Sequence, residues 1–393
     1  MESDAICKFT SRLQHSPFTF ALSVSRSKLS ELKGGMSCHK SIVLWLGLTC
    51  VYIILNIKRI ALRKENLTPG ATSIIHGPSS RTQETPFCIE DKYRIGKWVQ
   101  QESRKTFNAC QWNQHRNCIF EEQQQPRGKK RIENSMQWNW IPDACKLHDF
   151  NETHLMQLLI QRRARIFYVG DSLNEDMAIS MKCMLSNETN ILGDHELVHT
   201  IRNDLLGCPG KDDQDFGTKS YCSNLTQVLH VWKGYISTFN ITDQDIIVMN
   251  TGAHWHGDPK NAAIAFSNIA NAISLAFKGL VVVRTTVMGH EKCDSFDDMP
   301  IFLRSNSTLK NTTNLPYNWA NFDTLNDMVS KAIKQSDLEN YDTLYIDMFE
   351  ERPDGHYEGI NDTPDCLHYC VPGPINWWNR LLYHILIRYF ANE

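Results

Sequence analysis

The sequence predicts an α/β fold with a mainly parallel sheet, preceded by an N-terminal transmembrane helix. Short apolar runs alternate with longer segments of helical periodicity from residue 165 to the carboxy terminus, and this alternation is typical of parallel sheets covered by helices. A second feature is the uncharged and largely apolar stretch at residues 41–57. It is just long enough to span a bilayer as a helix.

The position of the glycosylation signals orients the predicted membrane helix. Basic residues flank the apolar stretch on both sides, so charge alone does not set the orientation. A buried core helix is one alternative. A cleaved signal peptide is another, but no small-x-small cleavage pattern follows before Lys58. Asn-x-Thr signals occur only after the stretch, at Asn66, Asn151, Asn187, Asn224, Asn240, Asn306, Asn311 and Asn361. We therefore expect a type II protein of the secretory pathway, glycosylated at all of these except Asn66, which lies close to the membrane.

The rest of the chain divides by composition. Residues 1–40 form the predicted cytosolic tail, 41–57 the signal anchor and 58–87 a stem rich in Thr, Ser, Pro and Gly. Residues 88–393 form the predicted lumenal catalytic domain. Within it, residues 88–150 carry frequent Cys and Trp with little periodicity, which indicates a loop-rich, disulfide-braced segment before an α/β core at 165–393.

The cysteines agree with an oxidising compartment. The chain has 13 of them, and the even number that follows the anchor is consistent with disulfides. Buried thiols are the alternative for some, Cys183 in an apolar helix being an example. A zinc site at Cys366, His368 and Cys370 is disfavoured, because no second closely spaced cysteine pair completes it.

The predicted elements of the core come in alternation. Apolar strands are expected at residues 165–169, 245–249, 280–284 and 343–348, and helices at 173–185, 260–277, 319–334 and 375–390. Ligands of such sheets bind beyond the carboxyl ends of the strands. Ser172 follows the first strand and Asn250 follows the second, so both are expected at that edge. The net charge of −3 gives no reason to expect a nucleic-acid partner.

Two distant motifs predict Ser-His-Asp acyl chemistry. Gly170-Asp171-Ser172 ends the first apolar run, and Asp365-Cys366-Leu367-His368 lies near the carboxy terminus. A serine hydroxyl needs a base within hydrogen-bond reach and a third group that orients the base. Ser172, His368 and Asp365 can fill these roles. The Asn250 amide and the Ser172 backbone N–H are candidates for the oxyanion hole.

Other residues are candidates for substrate contacts. His254 and Trp255 follow Asn250 in the same loop, and Trp377 lies beyond the Asp-x-x-His motif. Tryptophan offers flat apolar faces for sugar rings, and packing in the core or at its rim is the alternative. Metal binding by His254 and His256 is disfavoured, and we expect no metal.

Several motifs together resemble the trichome birefringence-like, or PC-esterase, family of plants. They are Gly170-Asp171-Ser172-Leu173, Asn250-Thr251-Gly252, Asp365-Cys366-Leu367-His368-Tyr369-Cys370-Val371-Pro372-Gly373-Pro374, Trp378-Asn379 and, upstream, Trp138-Asn139-Trp140-Ile141-Pro142-Asp143-Ala144-Cys145. Cys88 with Gly96-Lys97-Trp98-Val99 extends the likeness to the start of the lumenal part. The resemblance implies an SGNH-hydrolase-like three-layer fold, Golgi residence, and transfer of O-acetyl groups to hydroxyls of cell-wall polysaccharides.

The resemblance also implies roles for the motif residues. Ser172 becomes acetylated, His368 is the base and later the acid, Asp365 orients His368, and Asn250 completes the oxyanion hole. Two departures concern the substrates: Glu175-Asp176 stands where family members commonly carry an arginine-asparagine pair, and Ala253 separates the Asn-Thr-Gly turn from His254.

The leading interpretation is therefore a Golgi-membrane O-acetyltransferase that works by double displacement. It needs an acetyl donor, binds no resident cofactor, and takes a polysaccharide or oligosaccharide as acceptor. A carbohydrate esterase that uses the same triad with water is the alternative, because sequence does not show whether the acceptor groove excludes water. A noncatalytic glycan-binding protein that retains the fold is a second alternative.

Overall fold

The computed structural model describes residues 85–101, 133–185, 197–203, 224–250, 252–255, 259–299, 319, 321–356 and 365–392. The predicted cytosolic tail, the predicted membrane anchor and nearly all of the predicted stem lie outside these residues. Within them, no helix combines the length and the apolar character that a membrane crossing requires.

A parallel five-stranded sheet forms the centre of the domain. Its strands are β3 (Ile166–Gly170), β4 (Val198–Arg202), β5 (Ile246–Asn250), β6 (Leu280–Arg284) and β7 (Tyr341–Leu344). Their spatial order is β4-β3-β5-β6-β7, and every neighbouring pair is parallel. When the five strands are numbered 1 to 5 along the sequence, this is the order 2-1-3-4-5 of a doubly wound sheet. The direction in which successive strands are added to the sheet reverses between β3 and β5.

Helices cover both faces of this sheet. One layer contains α1 (Glu152–Arg162), α2 (Ser172–Leu185) and α6 (Ile375–Ala391). The other layer contains α3 (Leu225–Thr238), α4 (Pro259–Ala276) and α5 (Phe322–Gln335). Strands β3, β5 and β6 are buried at every position, and this explains why they read as continuous apolar runs rather than as alternating ones.

The cysteine-containing N-terminal segment packs against the end of the core. It contains the antiparallel pair β1 (Gly96–Gln100) and β2 (Trp138–Pro142). The Trp98 indole donates to the carbonyl of Met348 at 3.1 Å, and the Tyr93 hydroxyl accepts from the Tyr345 amide at 2.9 Å. Since both side chains are buried, these contacts satisfy polar groups that water cannot reach. The segment therefore depends on the core for its own burial.

The structure confirms the α/β fold with a parallel sheet and corrects some elements. The predicted strand 343–348 is wrong in its second half, because β7 ends at Leu344 and a 3₁₀ helix occupies Asp347–Glu351. Arg94 from the N-terminal segment pairs with Asp347 at 3.1 Å at this point. Strand β4 and helices α1 and α3 were not predicted. The alternative of a buried Cys183 thiol is wrong, because Cys183 is disulfide-bonded.

Candidate active site

Ser172 lies at the point where β3 passes into α2. Gly170 ends β3 with a φ of 151°, and a Cβ there would lie 2.7 Å from both the carbonyl and the side-chain oxygen of Asn250. Only glycine fits such a close approach without strain. The Asp171 carboxylate then accepts the Leu173 amide at 3.0 Å, which caps the first turn of α2. Ser172 is thus the first residue of the helix and is 5% exposed.

His368 lies within hydrogen-bond distance of both this serine and Asp365. His368 Nε2 is 2.6 Å from Ser172 Oγ, and His368 Nδ1 is 2.7 Å from Asp365 Oδ2. The ring therefore bridges the hydroxyl and the carboxylate, with one nitrogen facing each. This is the geometry in which a carboxylate keeps the Nδ1–H tautomer and leaves Nε2 free to accept the serine proton.

The loop that carries His368 is fixed by its own backbone. Asp365 Oδ1 accepts the backbone N–H groups of Leu367 at 3.3 Å and of His368 at 3.2 Å. Burial raises the pKa of Asp365, but the hydrogen bonds and charge of His368 and these backbone donors outweigh it and lower the pKa to about 2. The carboxylate is therefore ionised throughout the neutral range, as an orienting group must be.

A disulfide joins this loop to the segment that follows β6. Cys366 is bonded to Cys293, and the His290 amide donates to the Cys366 carbonyl at 2.9 Å. Cys370 is also disulfide-bonded. These two cysteines are therefore not available as thiolate ligands for the disfavoured zinc site. The second disulfide within the described chain, Cys88–Cys145, braces the N-terminal segment.

Asn250 lies beside the serine turn, at the end of β5. It is fully buried, and its Nδ2 donates to Asp171 Oδ2 at 3.3 Å. A side-chain amide nitrogen carries two N–H groups, so this contact leaves one N–H for another acceptor. The oxyanion role of Asn250 stays a prediction. The structure places the residue next to the turn that carries Ser172 and connects the two through Asp171.

Arg284, a buried arginine that was not predicted as a site residue, lies next to Asn250 at the end of β6. Arg284 ends β6 in register with Asn250 and is 1% exposed. Its Nε donates to Asn174 Oδ1 at 3.3 Å, and the Asn174 amide in turn donates to the carbonyls of Val169 at 3.0 Å and Val248 at 2.8 Å. The nearest signal in the sequence was an arginine closing an otherwise apolar strand.

Burial and nearby carboxylates act in opposite directions on Arg284. Burial lowers the pKa of its guanidinium, the charges of Asp171 and Asp176 raise it, and the result is a pKa of about 10. Arg284 therefore remains a cation at neutral pH. Its single positive charge partly offsets those of the two buried carboxylates, Asp171 and Asp176.

The predicted substrate-contact residues differ in exposure. Trp255 is 8% exposed and packs edge-on against Phe266 at 5.2 Å, so its faces are largely covered. Trp377 is half-buried, and its indole N–H donates to the carbonyl of Trp138 at 3.1 Å. His254 is half-buried in the loop after β5, and its neighbour His256 lies outside the described residues. Substrate contact by these residues stays a prediction.

Three of the predicted glycosylation sites can be located. Asn151, Asn224 and Asn240 are all exposed. Asn151 and Asn224 precede helices α1 and α3, and each uses its side-chain oxygen as the helix cap, which leaves the amide nitrogen outside the cap. The remaining predicted sites fall outside the described residues: Asn187, Asn306, Asn311 and Asn361.

Comparison with known proteins gives one matching family model and several relatives. Residues 258–385 match PC-Esterase, described as the GDSL/SGNH-like acyl-esterase family found in Pmr5 and Cas1p. This range contains the Asp-x-x-His motif, whereas Ser172 and Asn250 precede it.

The relatives extend over more of the chain. The chain is 24% identical to Xyloglucan O-acetyltransferase 1 of Populus trichocarpa, over 81% of this chain and 86% of that protein. It is 23% identical to Protein trichome birefringence-like 13 of Arabidopsis thaliana, over 86% of this chain and 94% of that protein. Xyloglucan O-acetyltransferase 2 of Arabidopsis thaliana is also 23% identical, over 63% of this chain and 72% of that protein. These matches show a PC-esterase region at residues 258–385 and a similarity of most of the chain to trichome birefringence-like proteins and xyloglucan O-acetyltransferases.

Proposed function

We propose that this protein is a polysaccharide O-acetyltransferase that acts through an acetyl-serine at Ser172. The observation that carries the proposal is the 2.6 Å separation between Ser172 Oγ and His368 Nε2, with Asp365 behind the ring at 2.7 Å. The names of relatives as xyloglucan O-acetyltransferases support the acceptor class.

In the first half of the reaction, Ser172 Oγ attacks the carbonyl carbon of an acetyl donor. His368 Nε2 takes the hydroxyl proton as the new C–O bond forms, and Asp365 stabilises the imidazolium that results. The tetrahedral intermediate then collapses. The bond to the donor's leaving group breaks, His368 returns the proton to that group, and the acetyl group remains on Ser172.

In the second half, a sugar hydroxyl takes the place of the donor. His368 removes the proton from this hydroxyl, whose oxygen attacks the acetyl-serine carbonyl. Collapse of the second intermediate releases the O-acetylated sugar, and His368 gives the proton back to Ser172 Oγ. Each half transfers one acetyl group and one proton, so the enzyme ends in its starting state.

Charge develops on the carbonyl oxygen in both halves. Ser172 is the first residue of α2, and a helix N-terminus presents backbone N–H groups and a partial positive charge. The Ser172 backbone N–H and the remaining Asn250 N–H are the donors that we assign to this oxygen. Losing one such donor costs about 3 kcal/mol of transition-state stabilisation.

We further propose that the catalytic domain faces the lumen of the Golgi, held by the apolar stretch at residues 41–57. Exposure of the three locatable sequon asparagines and the disulfides support a lumenal site. Glycosidase treatment of protein from the secretory pathway tests this. An electrophoretic mobility that does not change would contradict it.

The proposed chemistry is tested with the full-length chain purified in detergent, 4-nitrophenyl acetate as donor, and xyloglucan or xylan oligosaccharides as acceptors. We expect a burst of nitrophenolate, acetyl on the peptide that contains Ser172, and acetylated oligosaccharide. Ser172→Ala should abolish all three. Ser180→Ala is the matched control, since Ser180 is also buried on the same helix and bonds to Asn376.

Two outcomes would contradict the proposal. Donor consumption without any acetylated oligosaccharide would favour the esterase alternative, to which the acyl-esterase description of the family model lends support. Retention of the nitrophenolate burst in Ser172→Ala would rule out an acetyl-serine at this residue.

A further inference from the structure

Two buried histidines form a series of hydrogen bonds that ends at the backbone carbonyl of His368. His290 lies in the segment after β6, and His356 follows a 3₁₀ turn at Pro353–Gly355. His290 is 6% exposed and His356 is fully buried. Neither has a role in the acetyl transfer described above.

The contacts of this histidine pair run from one carbonyl to another. His290 Nε2 is 2.6 Å from the Glu350 carbonyl oxygen, and His290 Nδ1 is 2.6 Å from His356 Nε2. His356 Nδ1 is 3.0 Å from the carbonyl oxygen of His368. The last contact in this series is thus with the peptide group of His368, the residue whose ring contacts Ser172.

The number of protons that these hydrogen bonds require gives the histidine pair a net positive charge. The two carbonyl oxygens only accept, so each needs an N–H from the ring that faces it. The nitrogen-to-nitrogen contact at 2.6 Å needs exactly one more proton between the rings. Three protons on four ring nitrogens is one more than two neutral imidazoles carry. With only two protons, either two lone pairs would meet or one carbonyl would lose its donor.

We propose that His290 and His356 share one added proton and act as positioning residues for His368. The shared proton lets His356 donate to the His368 carbonyl while it also bonds to His290. A hydrogen bond from a charged donor is shorter and stronger than one from a neutral donor. The pair therefore fixes the peptide plane of His368 and, through it, the ring that reaches Ser172.

The surroundings of the pair bear on whether it can hold a charge. Burial is the largest effect on His290 and lowers its pKa below the ordinary value, although the bond to the Glu350 carbonyl and the charge of Asp354 act in the opposite direction. Asp354 itself forms a fully buried ion pair with Arg352 at 2.9 Å. The ionisable groups on the segments around the pair are Glu291, Lys292, Glu350, Glu351, Arg352, Asp354, Asp365, His368 and Tyr369. Of these groups, Asp354 favours a proton on the pair and burial opposes it, so the shared proton rests on the hydrogen-bond count.

The chain contains a matched neutral histidine for comparison. His384 is fully buried, its Nε2 is 3.0 Å from the Cys88 carbonyl oxygen, and its Nδ1 is 3.2 Å from the His148 amide. One partner accepts and the other donates, so a neutral ring satisfies both. Burial, the largest effect, brings the pKa of His384 to about 4, in agreement with this count.

The proton count is tested by ¹⁵N NMR of the full-length chain labelled at histidine. We expect three protonated ring nitrogens from His290 and His356 together, and one protonated and one bare nitrogen from His384. His290→Gln and His356→Gln assign the signals, and either variant alone is sufficient for assignment by difference. Only two protonated nitrogens from the pair at every pH at which the protein is folded would overturn the inference.

The positioning role is tested by the kinetics of acetyl-serine formation from 4-nitrophenyl acetate. In a folded His356→Gln protein we expect kcat to fall about tenfold or more, because small displacements of a catalytic group carry losses of this size. KM should stay within about twofold, and His384→Gln should retain the wild-type kcat. An unchanged kcat in His356→Gln would refute the positioning role.

The kinetic part rests on the proposed function, whereas the nitrogen count does not. If Ser172→Ala shows that no acetyl-serine forms, the proposed function fails while the shared proton can still be observed. If the acetyl-serine forms and the pair is neutral, only this inference fails.

Discussion

Replacing Asp365 by asparagine tests how His368 is held for catalysis. In the wild type, one carboxylate oxygen accepts the backbone N–H groups of Leu367 and His368, and the other lies 2.7 Å from His368 Nδ1. Because the backbone N–H groups of Leu367 and His368 need an acceptor, the side-chain oxygen of the asparagine must face them. Its NH₂ group therefore faces His368 Nδ1. It then donates to His368 Nδ1 and selects the tautomer with its proton on Nε2. That nitrogen faces Ser172 and can no longer accept its proton.

The structure gives two magnitudes for Asp365→Asn. The wrong tautomer lowers kcat of Ser-His-Asp enzymes by about 10⁴-fold, and the geometry here predicts a loss of that order. The second magnitude concerns stability. The folded-state pKa of Asp365 is about 2, below its ordinary 3.8, so the ionised form contributes about 2 kcal/mol at neutral pH. Because this pKa is lowered, the contribution is complete above about pH 4 and is lost as the pH falls through the folded value.

Both effects of Asp365→Asn can be measured with the same protein preparations. Stopped-flow release of nitrophenolate from 4-nitrophenyl acetate reports the rate of acetyl-serine formation, and urea unfolding at several pH values reports stability. The difference in unfolding free energy between wild type and variant should narrow as the pH falls from about 4 to about 2. A folded variant that keeps a rate within tenfold of wild type would refute the tautomer argument.

Three further predictions follow from the residues around the site. Gly170→Ala should lower the free energy of unfolding by at least about 1–3 kcal/mol in urea titrations, because a Cβ would lie 2.7 Å from two oxygens of Asn250 and φ is 151°; an unchanged midpoint would contradict the close approach. Arg284→Met should cost about 3–5 kcal/mol by the same measurement, since it leaves buried carboxylates uncompensated, and a neutral effect would show that these carboxylates do not depend on Arg284. The double variant Cys293→Ala and Cys366→Ala should lower kcat more than it raises KM in the ester assay, because the disulfide joins the His368 loop to the segment after β6; wild-type kinetics would show that the loop holds its position without it.

The strands that sequence predicted well share one physical property. β3, β5 and β6 are buried on both faces, so their apolar runs are continuous and their boundaries are visible in the sequence. Strand β4 lies at the edge of the sheet and is buried at only two of its five positions, Val198 and Ile201. Helix α3 buries only Val228 and Trp232. Strand β4 carries little alternating signal and was missed for that reason. Helix α3 was missed although its sequence does contain a helical signal, with apolar residues at Leu225, Val228, Leu229, Trp232, Tyr235 and Ile236.

The site shows a similar division. Ser172, His368 and Asp365 could be predicted as site residues because each lies in a short recognisable motif, and the structure brings the two motifs together. Arg284, His290 and His356 were missed because their importance depends on partners far away in the chain, such as the contact between His290 and His356 across 66 positions. Local sequence contains no sign of such a contact. Only the folded sheet and its loops bring these side chains together.

The charge reversal at Glu175-Asp176 can now be placed in three dimensions. Glu175 pairs with Arg202 at 2.8 Å, and both side chains are 41% exposed. Asp176 is fully buried, and its charge acts on Arg284 beneath the site. Each acidic group therefore has a cation of this chain near it, one at the surface and one in the core. Because Arg284 also interacts with Asp171, its single positive charge offsets the negative charge of Asp176 only in part.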